Sequence, residues 1–391
     1  MTSLRGMTQD SATAVQSIQE NILAGLNSDL AGISVKVSSD ALAGPLVWSG
    51  AEFQGDSTYT LHLSEDEVAE IDNALANFKT LGLDGDEVSR DNFPLPNLSR
   101  RLRSSSETLH MGRGFVVIRG LEASRYTVED SVTIFLGVAS YIAEKRGRQD
   151  RKGNMLSHVT DSKQWTAPVS ARHGIHTNGA LVRHSAEQGG YTYLSSAWTV
   201  FNDLLNREPE VVKTLLTPNW PVQLSGRKAS YYLAPVFSFH DGKLLASLDP
   251  ARLGPHPSMS NNTSIPSLTE DQVHALQAVS EAASRSEVRL ELQTGDLLFF
   301  NNLSLVHRRD AYSDDASSSR HMVRLWLRSQ KLGWAIPDGM LPPWEAAYGE
   351  SRKKNKPALY PIVPAVEYPV QKYTTSSAAF MIEDSESSDE E

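Results

Sequence analysis

Apolar residues recur at helical spacing after Ser64, with Val68, Ile71, Leu75 and Phe78 on one face. Glu67, three residues past Ser64, completes a capping box, in which each side chain satisfies the other residue's backbone N–H. A helix is therefore predicted from this point. Residues 114–120, Gly-Phe-Val-Val-Ile-Arg-Gly, form a short apolar run closed by glycines and predict a buried strand, and residues 127–143 predict a second helix. From His176 onward the period shortens, and strands alternate with turn signals. Asp241-Gly242 lies between the apolar runs 235–240 and 243–248, a hairpin signature, and Gly295-Asp296 separates runs 288–292 and 297–301 in the same way. Two helical insertions interrupt these strands. One covers residues 199–216 with a break near Pro209; the other covers 269–284 and opens on a Thr269/Gln272 capping box.

Helices feeding into many short strands predict an α+β protein whose core is a β-sandwich of the double-stranded β-helix (jelly-roll) type, with helices packed on it. The expected organisation is an N-terminal arm or short helix over residues 1–40, a single jelly-roll domain over 41–375, and a disordered acidic tail over 376–391. Val15, Ile18, Ile22 and Leu26 are the only apolar pattern in the arm. The segments 145–175 and 217–235 carry no periodicity and are expected to be irregular lid segments.

Composition narrows the chemistry. The formal charge of −10 includes six carboxylates in the last nine residues, so the body is only mildly acidic and carries no nucleic-acid footprint. The absence of cysteine removes disulfides, zinc–thiolate sites and thiol nucleophiles, and points to an intracellular, cytoplasmic setting. No run of 18 apolar residues occurs, so no membrane span is expected. Oligomeric state is not encoded legibly.

His176 and Asn178 stand two apart, which on a strand places both on one face. By spacing alone such a pair is ordinary polar surface. His307 follows the apolar run 297–306, which would carry it inward, either as a core histidine or as a ligand. In residues 320–328, Arg320, Met322, Arg324, Trp326 and Arg328 alternate with Val323, Leu325 and Leu327. A sheet face carrying several arginines is either a salt-bridged solvent face or a site for an anionic small molecule. Thr192, after Gly189-Gly190, adds a hydroxyl at the start of a strand.

The ordered set His176-x-Asn178, Gly-Gly-x-Thr192, Gly295-Asp296, Asn301-Asn302 with His307, and Arg320 with Arg324 resembles the taurine dioxygenase-like (TauD/TfdA) family of Fe(II)/2-oxoglutarate oxygenases, in particular its larger fungal members. The likeness runs from about Gly44-Pro-Leu-Val-Trp48 to Leu327 and includes Phe93-Pro-Leu-Pro96 and residues 112–120 and 153–161. It implies a jelly roll in which His176 and His307 bind iron and Asn178 stands where the family has aspartate. It also implies that Arg320, supported by Thr192, pairs with the distal carboxylate of 2-oxoglutarate, with Arg324 near the cosubstrate and substrate end. The implied reaction is oxidative decarboxylation of 2-oxoglutarate to succinate, coupled to oxidation of a small molecule, in keeping with specialised metabolism. An amide offers a neutral oxygen in place of an anionic one, so the metal site is expected to be weakened. Asp161, Glu187 and Asp296 are candidate substitute carboxylates, and His173 and His184 candidate nitrogens. Three outcomes stay open: an oxygenase with a weak metal site, a redox-neutral isomerase or cyclase using His176 or His307 as acid or base, and a noncatalytic small-molecule-binding protein.

Overall fold

The computed structural model describes residues 37–38, 41–150, 153–160, 177–184, 188–224, 230–255, 264–310, 312–313, 321–349 and 358–362. The expected arm apart from Val37–Ser38, the acidic tail, and Asp161, His173, His176, Glu187 and Arg320 lie outside them. Asn178 is described through its backbone.

Two facing sheets form the predicted jelly roll. The major sheet runs in the order Thr60–His62, Phe115–Arg119, Leu297–Asn301, Thr177–His184, His321–Arg328, with Lys145–Gly147 and Leu156–Thr160 sharing the far side of the last strand. All its pairings are antiparallel except that of Thr60–His62 with Phe115–Arg119. The minor sheet has Thr192–Ser196 at its centre, between Val288–Leu290 and Leu305–Arg309. A short pair, Gln188–Gly189 with Tyr312–Ser313, stands apart from both.

Strand alternation sorts the side chains into two cores. One face of the major sheet presents Val116, Ile118, Leu181, Leu297, Phe299, Val323, Leu325 and Leu327 to the helices Glu65–Thr80, Ser99–Met111 and Val128–Ile142. The helix Val128–Ile142 has eleven of its fifteen residues buried, so it is covered on nearly all sides rather than lying on the surface. Its Gly137 accepts the ring of Phe93, whose nearest atom would lie 2.4 Å from an added Cβ. The other face carries Phe115, Val117, Ala180, Val182, Leu298, Phe300 and Met322 against Leu194, Val288, Leu290 and Leu305 of the minor sheet. This is the interior of the jelly roll, where each fully buried Leu or Phe contributes roughly 1.5–3 kcal/mol.

The helices Ala197–Arg207, Pro209–Leu216 and Glu270–Ser286 build a third core outside the minor sheet. Ser195 ties that sheet to them by donating from Oγ to the Ala283 carbonyl at 2.9 Å. The insertion breaks at Pro209 as expected, since proline at N1 loses no helical hydrogen bond. Both capping boxes are present, at Ser64/Glu67 and Thr269/Gln272. Asp241 and Gly242, at φ 49° and 69°, turn the hairpin Phe237–His240/Lys243–Ala246.

Two expectations need correction. Gly295-Asp296 does not make a hairpin, because Val288–Leu290 pairs in the minor sheet while Leu297–Asn301 pairs in the major one. The turn instead carries the chain between sheets. Gly295 at φ 95° donates its N–H to the Val182 carbonyl, in a space where a Cβ would lie 1.9 Å from the Leu121 carbonyl oxygen. The segments expected to be irregular also hold regular structure: the strands Lys145–Gly147 and Leu156–Thr160, and a hairpin of Trp220–Leu224 with Ser230–Ala234.

Candidate active site

Backbone register fixes where position 178 sits. Asn178 pairs with Phe300 on one side and Trp326 on the other, Phe300 pairs onward with Phe115, and Trp326 with Gly147. Residues in such a row share one face of a sheet. Phe115 and Phe300 belong to the jelly-roll interior, so position 178 lies on the interior face in a predominantly aromatic row. At the row's end Gly147 leaves room for Tyr348, whose phenol carbon Cζ would lie 2.8 Å from a Cβ.

His307 reaches the same place from the opposite sheet. It pairs with the buried Leu194, alternates with Leu305 of the interior core, and is half-buried. Its ring meets Phe300 edge to face, with centroids 5.0 Å apart and planes at 68°. Because Phe300 is the register partner of Asn178, the contact brings His307 to the level of position 178. That convergence joins two residues more than a hundred positions apart in sequence.

Thr192 is buried on the same face of the minor sheet, beside Leu290 and Arg309. Arg309 was not singled out in the sequence, although it stands two residues beyond His307 and so shares its face. It extends toward the major sheet, where Nη2 lies 3.9 Å from the Met322 sulfur. Arg324 occupies the next interior row, paired with Ala180 and Ser157, and its guanidinium carbon is 5.6 Å from the Trp326 ring centroid. The structure thus brings together position 178, His307, Thr192 and Arg324 between the two sheets. His176 and Arg320 each stand one residue before the described strands Thr177–His184 and His321–Arg328.

Two candidate substitute ligands are excluded by position. Asp296 spends both carboxylate oxygens on Arg119, at 2.9 and 2.7 Å, and accepts from the Gln293 N–H at 2.7 Å. It is a turn and ion-pair residue. His184 lies six residues along the strand from Asn178, about 20 Å away at ~3.3 Å per residue.

A second titratable cluster sits behind the major sheet. His158 Nδ1 lies 2.9 Å from His321 Nε2, and His158 Nε2 bonds the Pro361 carbonyl. Since the carbonyl can only accept, His158 donates to it from Nε2 and accepts at Nδ1 from the Nε2–H of His321. Both rings are then neutral. Burial lowers both pKa values, and the neighbouring His158, Arg183 and His184 add to the effect on His321, pushing it down to about 4.

A jelly roll with helices packed outside it is the fold of the non-haem iron, 2-oxoglutarate-dependent dioxygenases. The sequence matches the taurine catabolism dioxygenase TauD, TfdA family over residues 77–326, and the chain belongs to that family. It is 29% identical over 337 residues to the taurine hydroxylase-like protein SAT17 of Stachybotrys chartarum, covering 80% of this chain and 86% of that protein. It is 26% identical over 323 residues to FR-33289 synthase of Streptomyces rubellomurinus, covering 75% and 92%. Among solved structures, asparagine oxygenase in complex with Fe(II), 3-hydroxyasparagine and succinate superposes with a TM-score of 0.55 at 15% identity, covering 69% of this chain and 93% of that one. The non-heme iron oxygenase OrfP with Fe and α-ketoglutaric acid gives 0.52 at 14% identity, covering 69% and 94%. These structural likenesses concern the fold.

Proposed function

We propose that the chain is a 2-oxoglutarate-dependent oxygenase acting on a small molecule, with a metal site weakened by Asn178. The observation that carries the reading is the convergence of His307, through Phe300, on position 178 of the facing sheet. In the sequence His176 stands two residues before Asn178, so the proposed donor set is two imidazole nitrogens and one amide oxygen. This set suits iron in number and donor type and lacks the negative charge that a carboxylate would add. Iron bound there would supply oxygen activation coupled to decarboxylation of 2-oxoglutarate to succinate.

The chain's own residues then have defined tasks. His176 and His307 would hold the metal, and Asn178 would offer its carbonyl oxygen as a weaker third donor. Arg320 and Thr192 receive the distal carboxylate of 2-oxoglutarate, while Arg324 adds positive charge beside it. The apolar interior formed by Phe115, Phe300, Val182 and Met322 limits water around the reacting groups. The likeness to a taurine hydroxylase-like protein and to a synthase supports a small-molecule substrate.

The test is binding followed by turnover. 2-Oxoglutarate should raise the melting temperature, and Arg320→Ala should abolish the shift; no shift in the wild-type chain sinks the cosubstrate assignment. Elemental analysis and succinate release under Fe(II) and O2 then report the metal and the reaction. The neutral Asn178 also favours a second reading, in which the same pocket runs a redox-neutral isomerisation or cyclisation with His176 or His307 as acid or base. Product formed without oxygen and in the presence of chelator would select that reading.

A further inference from the structure

We propose that the helix Leu341–Tyr348 closes one end of the jelly-roll interior with a subsite for an acidic group of the substrate, formed by Arg328, Trp344 and Tyr348. The inference rests on the functional reading above and deepens it by naming the substrate as an organic oxyanion.

The helix reaches the interior face through one glycine. Gly147 ends the row that runs Phe115, Phe300, Asn178, Trp326, and the Tyr348 ring takes the space of the missing side chain, its hydroxyl oxygen 2.9 Å from a Cβ placed there. Tyr348 packs with Ala347 and Trp344 against Trp326, the register partner of Asn178. The Arg148 N–H, donating to the Ala347 carbonyl at 3.0 Å, fixes the end of the helix to the sheet edge. Two strand spacings of ~4.8 Å separate Gly147 from Asn178, so the cluster stands about 10 Å from position 178 along the row.

What the cluster offers is hydrogen-bond donors. Tyr348 is 3% exposed, yet neither its hydroxyl nor the buried Nε1 of Trp344 has a hydrogen-bond partner among the described residues. Folded proteins rarely leave such groups unpaired, and here two are neighbours, with ring centroids 6.0 Å apart. An indole N–H can only donate, and burial raises the Tyr348 pKa, which keeps the phenol protonated. Packing alone would be served equally well by phenylalanine at 348.

Arg328 supplies the charge. It lies two residues beyond Trp326 on the same face, half-buried, with its guanidinium carbon 5.6 Å from the Trp344 ring centroid. Nη1 donates to the Trp334 carbonyl at 2.5 Å, a neutral acceptor that orients the group, and no carboxylate pairs with Arg328 among the described residues. Burial lowers its pKa. A cation and two donors beside one another, with no anion of the protein's own, select an oxyanion.

The test follows the Trp344 indole N–H resonance in the full-length chain carrying isotope-labelled tryptophan, with zinc(II) and saturating 2-oxoglutarate present. Trp344→Phe assigns the resonance, and the probes are hexanoate, hexylphosphonate, hexan-1-ol and hexylamine. The two anions should shift it saturably, the tighter one identifying the class of oxyanion, and the neutral and cationic probes should not. Tyr348→Phe should weaken anion binding about tenfold, the scale of a hydrogen bond to a charged group, and Arg328→Met at least as much. Without ligand, Tyr348→Phe should melt no lower than wild type, because the hydroxyl it removes has no internal partner. Cosubstrate affinity is measured in every protein. Cosubstrate binding with no anion response at Trp344, equal responses to hexan-1-ol or hexylamine, or wild-type anion affinity in both variants overturns the subsite and leaves the functional reading intact. A parallel loss of 2-oxoglutarate affinity in Arg328→Met assigns that residue to the cosubstrate and overturns it likewise. No 2-oxoglutarate binding to the wild-type chain refutes the functional reading and the subsite with it.

Discussion

Replacing Asn178 with aspartate should have opposite effects on the metal-free and metal-loaded protein. In the metal-free chain the new carboxylate enters a row between Phe300, 5% exposed, and Trp326, 1% exposed, with His307 against Phe300. A charge placed there without full compensation costs roughly 1–3 kcal/mol. At ~2–4 °C per kcal/mol for a large domain, metal-free Asn178→Asp should melt several degrees below the parent. With metal the sign reverses. Losing an outer-sphere partner alone changes metal affinity ~10–100-fold, and a direct anionic donor should give at least that range. Linkage converts this into about 1.4–2.7 kcal/mol of extra metal-dependent stabilisation once metal exceeds both dissociation constants. The assay is thermal melting across a manganese(II) series, with calorimetric titration for the affinities. Equal metal-induced shifts in the two proteins would refute the assignment of position 178 to the metal site. A metal-free variant as stable as its parent would refute the interior placement drawn from the register.

Gly137→Ala should destabilise the protein despite the better helix propensity of alanine. The gain of about 1 kcal/mol is outweighed by the ~1–3 kcal/mol cost of a Cβ placed 2.4 Å from the fully buried Phe93 ring. A urea midpoint above that of the parent would show that Phe93 can yield. The His158–His321 pair should make the fold acid-sensitive. Both folded-state pKa values lie below the ordinary histidine value of 6.5, that of His321 at about 4. Between pH ~6.5 and ~4 the unfolded chain takes up protons that the folded chain excludes, so stability falls as pH drops through this window and is unaffected by these groups above it. His321→Gln should flatten that part of the stability–pH curve; an unchanged slope would disprove the neutral pairing.

What could be read from the sequence was local. Ser64/Glu67, Thr269/Gln272 and Asp241-Gly242 each act within a few residues, and all three elements form as their chemistry requires. The helix Ser99–Met111 was missed because its inward face is partly polar: Ser105, Ser106 and His110 are buried beside Leu102 and Leu109, and Ser106 donates to the Ile142 carbonyl. The helix Leu341–Tyr348 opens with two prolines that read as a break but sit in its first turn, where the N–H groups would have no helical partner anyway. Pro221 disguised a strand in the same manner, since a two-stranded hairpin has an edge that needs no ladder bond. Gly295-Asp296 looked like a hairpin because turn chemistry says nothing about which sheet receives the next strand. At the candidate site the motif residues stand out in the sequence, whereas Arg309 acquires a place there only when strands far apart in sequence are adjacent.

Asn178 is consistent with that environment in a way that aspartate would not be. The row around it consists of Phe115, Phe300, Trp326 and a glycine filled by a phenol, while Arg324 on the neighbouring strand and Arg309 on the facing sheet are cationic. Removing a carboxylate from such a pocket lowers its attraction for a divalent cation and raises its attraction for an anion. On the proposed assignment, an amide at position 178 would shift the balance of the pocket from metal toward 2-oxoglutarate or another carboxylate. Metal binding would then depend more heavily on the cosubstrate already being present, because a bound dicarboxylate would supply the negative charge that position 178 does not.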